Sequence, residues 1–82
     1  MNVEEIRTQI RTIIAGLAGI EDSFEADADV FRELGLESHA ALDLLLQVEE
    51  KFEISVDDET FGRTRTLDQI TALVATLRRA PS

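Results

Sequence analysis

The chain has 82 residues, no cysteine, one histidine, and 17 acidic against 8 basic residues, for a formal charge of −9. That length is expected to fold as one domain over 1–82 with a modest core. The composition excludes disulfides and thiolate metal sites, leaves too few histidines for a histidine-based metal centre, and argues against nucleic acid or anionic membrane surfaces as partners.

Val3, Ile6, Ile10, Ile13, Ile14 and Leu17 recur at helical spacing, with Thr8, Gln9, Arg11 and Thr12 between them. They predict an amphipathic first helix, and Gly16 and Gly19 mark where it ends or frays. The longest apolar stretch, Ile13 to Ile20, is too short to span a bilayer. The opening Met1-Asn2-Val3-Glu4-Glu5 does not read as a signal peptide. A cytoplasmic monomer without membrane insertion is expected.

Ile20 to Glu37 reads as a long connection. It alternates Glu21, Asp22, Glu25, Asp27 and Asp29 with Phe24, Val30, Phe31, Leu34 and Leu36. Two phenylalanines suit a loop tacked onto a bundle better than a free linker. Asp29 to Leu34 can form one helical turn that Gly35 ends. A calcium loop at Asp27 and Asp29 fails, because Phe31 takes a ligand position and Arg32 the place of the required glycine.

A second helix is expected from about Ser38 to Phe52. On a wheel of about 100° per residue, Ala41, Leu42, Leu45, Val48 and Phe52 cluster on one side. His39, Asp43, Leu46, Gln47 and Glu50 fall on the other, and Leu44 lies at the edge. Leu46 is the odd leucine on the predicted solvent face. Ile54-Ser55-Val56 then reads as an extended link. Asp57 can cap a brief helix through Phe61, stopped by Gly62.

Thr66-Leu67-Asp68-Gln69 fits a capping box. The last helix follows, with Leu67, Ile70, Leu73, Val74 and Leu77 buried. Arg78 and Arg79 suit the negative end of its dipole, and Pro81 closes the chain. The expected architecture is all-α: a small bundle of three main helices plus one short helix, with a long first loop.

Leu34-Gly35-Leu36-Glu37-Ser38, then Leu42, Leu44-Leu45 and Val48-Glu49-Glu50-Lys51-Phe52 with Ile54, resemble an acyl carrier protein. That family has a Gly-x-Asp-Ser-Leu attachment motif and an acidic helix ending in Glu-Glu-x-Phe-x-Ile. The resemblance covers most of the chain. It implies that Ser38 bears 4′-phosphopantetheine, donated from coenzyme A by a phosphopantetheinyl transferase, and that the arm supplies the thiol this chain lacks. It implies an acyl carrier and not an enzyme. A loading ligase and downstream synthase or transferase enzymes with basic patches would be its partners.

Glu37 stands where the family usually has Asp, and His39 where it usually has Leu. The first is a mild change that keeps the charge; the second suggests a specialised stand-alone member, serving fatty acid, polyketide or related lipid pathways or accepting aminoacyl groups from a dedicated ligase. Glu37, His39, Asp43, Leu46, Gln47 and Glu50 are the candidate docking residues, and Glu49 and Glu53 add to the acidic face.

Blander readings stand beside these. Ser38 can be an ordinary N-cap, His39 a solvated surface residue, and the acidic face plain solubilising charge with one stray leucine. A cofactor-free acidic adaptor fits the composition. A hydrolase does not: neighbouring helical residues diverge by about 100°, and Gly35 to His39 lacks the second glycine of a nucleophile elbow.

Overall fold

The computed structural model describes residues 2–79. They fold into α1 (Val3–Ala18), α2 (Ser38–Phe52), α3 (Asp58–Gly62) and α4 (Leu67–Arg79). The fold is all-α, as the periodicity predicts, and the boundaries of α2 fall where expected. Pro81 lies outside the described residues.

α1 is the central element and packs against both α4 and α2. Its Ile6, Ile10 and Ile14 meet Leu44, Val48 and Phe52 of α2 and Leu67, Ile70 and Val74 of α4 in one apolar cluster. Each such side chain contributes about 1.5–3 kcal/mol when taken fully out of water. Asn2 caps α1 by accepting a hydrogen bond from the Glu5 N–H, while the Glu5 carboxylate accepts from the Asn2 N–H, a reciprocal box. The helix runs through Gly16 and closes at Gly19, whose φ of 70° is the left-handed conformation that glycine adopts without strain. Val3, expected on the buried face, is partly exposed in the first turn.

The long connection is fastened at three points. The Arg11 guanidinium donates to the Asp22 and Phe24 carbonyls and lies 4.9 Å from the centroid of the Phe24 ring. The Asp68 N–H donates to the Ala26 carbonyl. Arg65, in the link between α3 and α4, grips Asp29 with Nε at 2.7 Å and Nη2 at 3.2 Å. Its guanidinium also stacks over Phe31. The anticipated turn after Asp29 is present: the Asp29 carbonyl accepts from the Glu33 and Leu34 N–H groups, and its carboxylate accepts from Phe31 and Arg32. Gly35 ends it with φ 77°.

Three expectations change. Asp57 caps α3 as foreseen, accepting from the Thr60 N–H, but the box at α4 is split. Thr66 Oγ1 accepts from the Gln69 N–H, whereas the Gln69 side chain reaches one residue further back, to the Arg65 N–H. The buried face of α4 is centred on Ile70, Thr71, Val74 and Ala75, with Leu73 and Leu77 at its half-buried margin. α4 faces the core over a narrow arc set by α1, so small residues at the contact are covered completely and bulky ones beside it only in part. Finally, Arg78 does more than complement the dipole of α4. It donates to the Phe52 carbonyl and so satisfies the C-terminus of α2.

Candidate functional site

Ser38 is the first helical residue of α2, one place after the N-cap Glu37. It is therefore not the ordinary cap that its residue type allows. No hydrogen bond among the described residues engages its hydroxyl, and the residue is exposed. Glu37 holds the extended cap conformation, and its carbonyl accepts from the Ala40 and Ala41 N–H groups. Its side chain makes no capping bond. The N–H groups of Ser38 and His39 are left without an acceptor among the described residues.

The electrostatics of this helix start differ from those of the other three. α1 begins with Glu4 and Glu5, α3 with Asp58 and Glu59, and α4 with Asp68, whereas the first turn of α2 holds no acid. Free N–H groups at the positive dipole end of a first turn without acids suit a phosphodiester at Ser38. The residues present thus fit the prosthetic group that the attachment motif implies.

His39 does not serve the serine. Its Nε2 lies 3.5 Å from the Glu37 carboxylate, and both side chains are largely exposed. No hydrogen bond joins the imidazole to Ser38 among the described residues. The geometry lacks the nucleophile–base contact that covalent catalysis needs.

The face of α2 beyond Ser38 differs from the expected wheel. Leu44 is fully buried and Leu42 is 59% exposed, beside Leu46 at 53%. Leu42 and Leu44 lie about 200° apart at about 100° per residue, so a one-sided core holds only one of them. The core takes Ala40, Leu44, Leu45, Val48 and Phe52. Leu42 and Leu46 thus extend from Ser38 at four-residue spacing as one exposed apolar stripe. Leu46 is on the solvent face as expected, whereas the wheel puts Leu42 with the buried cluster and so hides the stripe.

Asp43, Gln47 and Glu50 are exposed. Gln47 and Glu50 line a shallow groove with Ile13 and Lys51 between α1 and α2. Glu49 is not on this face. It is half-buried, and its Oε2 accepts from the Val56 N–H at 2.8 Å, fastening the link after α2. Glu53 is the C-cap, with a left-handed φ of 55°. Asp29, weighed earlier as a calcium ligand, has its carboxylate filled by Arg65 and two backbone N–H groups. These contacts, led by the Arg65 hydrogen bond, lower its pKa to about 2.

A family model described as the phosphopantetheine attachment site matches residues 8–74. An acyl carrier protein of Akkermansia muciniphila is 31% identical over 75 residues, covering 90% of this chain and 94% of its own. One from Guillardia theta is 31% identical over 70 residues, covering 84% and 86%. Acyl carrier protein 2 of Pseudomonas aeruginosa is 26% identical over 68 residues, covering 82% and 86%.

The matched stretch takes in most of all four helices and Ser38, so fold and match together define a helical domain that carries phosphopantetheine. The chain belongs to the acyl carrier protein family. Its members are carriers and not enzymes, and 4′-phosphopantetheine is their covalent cofactor. The cofactor-free adaptor reading is thereby set aside. No helix among the described residues is long and apolar enough to cross a membrane.

Proposed function

We propose that Ser38 carries the 4′-phosphopantetheine, and that the chain delivers acyl groups as thioesters to partner enzymes of fatty acid, polyketide or related specialised biosynthesis. The observation that supports this most is an exposed serine at the first position of α2 whose hydroxyl the fold does not use. When attached, the arm supplies a thiol for thioester formation.

On this reading Ser38 Oγ bonds to the pantetheine-side phosphorus of coenzyme A. The bond from that phosphorus to the adenosine-side phosphate breaks, adenosine bisphosphate leaves, and the hydroxyl proton passes to the transferase. The free N–H groups of Ser38 and His39 would stabilise the charge of a phosphodiester at that oxygen. Leu42 and Leu46 form the apolar centre of the partner surface. Glu37, His39, Asp43, Gln47 and Glu50 form its polar rim, which steers basic patches on transferase, ligase and synthase. The proposed setting is the cytoplasm, and the working form a monomer of one domain.

Intact mass spectrometry tests the attachment. The chain is incubated with coenzyme A, magnesium and a broad-specificity phosphopantetheinyl transferase, beside Ser38→Ala. A gain of one phosphopantetheine in the wild type alone is expected. A folded wild type that gains none, or a variant that still gains one, would overturn the reading.

A further inference from the structure

We propose that Arg65 is a positioning residue for Ser38, although the two stand 27 positions apart and Arg65 lies in the link between α3 and α4. The proposal rests on Ser38 being the attachment residue. A continuous set of bonds connects the two. The Arg65 guanidinium holds both carboxylate oxygens of Asp29, at 2.7 and 3.2 Å, and covers the Phe31 ring at 4.8 Å. The Arg65 backbone carbonyl accepts from the Val30 N–H at 2.8 Å. The Val30 carbonyl in turn accepts from the Leu36 N–H at 3.0 Å. Val30 and Leu36 are buried, and Leu36 is followed directly by the cap Glu37 and by Ser38.

Arg65 itself is fixed from behind, because its N–H donates to the Gln69 side chain on α4 at 2.6 Å. The segment before Ser38 is thus pinned to the start of α4 through one residue that uses both its side chain and its backbone. Asp29 makes the grip specific. Its Oδ1 accepts from the Phe31 and Arg32 N–H groups and from Nη2 of Arg65, while Oδ2 accepts from Nε, so one carboxylate both shapes the turn and receives the guanidinium. A planar fork on two oxygens, stacked on a ring, fixes orientation as well as distance, which a lysine cannot reproduce.

No hydrogen bond or ion pair among the described residues joins Arg65 to Ser38 or to the exposed α2 face. Its loss should loosen where the hydroxyl stands without altering the surface a partner docks on. The expected signature is therefore a fall in kcat for phosphopantetheine transfer with KM unchanged. A misplacement near 1 Å lowers such rates by about a hundredfold, and a partial loosening by about tenfold.

The test measures transfer from coenzyme A to the full chain for wild type, Arg65→Ala, Arg65→Lys and Asp29→Asn. Thermal melts and the amide resonance of Ser38 are recorded for each. Arg65→Ala should lose about tenfold or more in kcat, Asp29→Asn less, and Arg65→Lys should recover part of the loss. The Ser38 amide should shift in step while α1 resonances hold. If Arg65→Ala does not fold, Asp29→Asn and Arg65→Lys carry the comparison. Wild-type kcat in every folded variant, or a change confined to KM, would overturn the proposal. An unmodified wild type would instead overturn the attachment at Ser38, which the Ser38→Ala control reads separately.

Discussion

The Glu37 carboxylate lies 3.5 Å from Nε2 of His39 and leaves the first turn of α2 without a side-chain cap. Glutamate is one methylene longer than the aspartate that caps helices well. Glu37→Asp should accordingly raise stability by about 0.5–1 kcal/mol, as the shorter carboxylate reaches the free N–H groups. Urea denaturation at neutral pH would measure it, and an unchanged midpoint would show that the cap site is not accessible from this backbone.

His39 lies beside the Glu37 carboxylate, and its side chain is largely exposed. His39→Leu should leave the melting temperature within about the shift of 0.5 kcal/mol, as an exposed substitution does. It should alter KM for individual partner enzymes, because the position adjoins Ser38 on the outer face. Equal KM values across transferases and ligases would reduce His39 to a bystander.

Leu42 and Leu44 offer a contrast within one turn of helix. Leu44→Ala removes a fully buried side chain and should cost about 2–5 kcal/mol. Leu42→Ala and Leu46→Ala should cost less than about 0.5 kcal/mol while raising KM for partners. Chemical denaturation paired with transferase kinetics separates the two kinds of leucine.

Asp29 makes stability depend on acid. Its folded pKa, about 2, lies below the unfolded value of about 3.9. The group therefore contributes stability that is fully present above pH ~4 and is lost as pH falls from ~4 through ~2. The gap in melting temperature between wild type and Asp29→Asn should be widest near neutrality and close across that window. A gap that persists at pH ~2 would point to the turn itself and not to the charge.

Glu49 was grouped with the docking acids, yet it bonds the Val56 N–H. Glu49→Ala should cost about 1–3 kcal/mol, and Glu49→Gln less, because the amide oxygen still accepts. Transfer kinetics of the folded variants should match wild type. A higher KM would return Glu49 to the partner surface.

The parts of this fold that sequence discloses are those governed by neighbours along the chain. Helix periodicity, Gly19, Gly35 and Asp57 placed the helices and their ends, because caps and left-handed turns depend on a few adjacent residues. Ser38 was legible as a candidate attachment residue because the motif around it and the Glu49 to Ile54 pattern lie at fixed spacing along the chain. What stayed hidden are bonds between distant segments: Arg65 with Asp29, Arg11 with Phe24, Arg78 with the Phe52 carbonyl. An arginine in a link looks the same whether it is solvated or gripping a carboxylate. The wheel puts Leu42 inside and Leu44 at the edge, whereas Leu42 is exposed and Leu44 fully buried, because only the placement of α1 decides which apolar residue is covered.

Ser38 stands one place inside the helix with an oxygen that has no structural duty. A capping oxygen would be drawn two ways, toward the backbone it satisfies and the phosphorus it esterifies. An ester formed at Ser38 would take no bond from the scaffold, so the bare and armed chains would share one helix. A partner would then tell them apart by the arm alone, since the body that presents it is the same before and after.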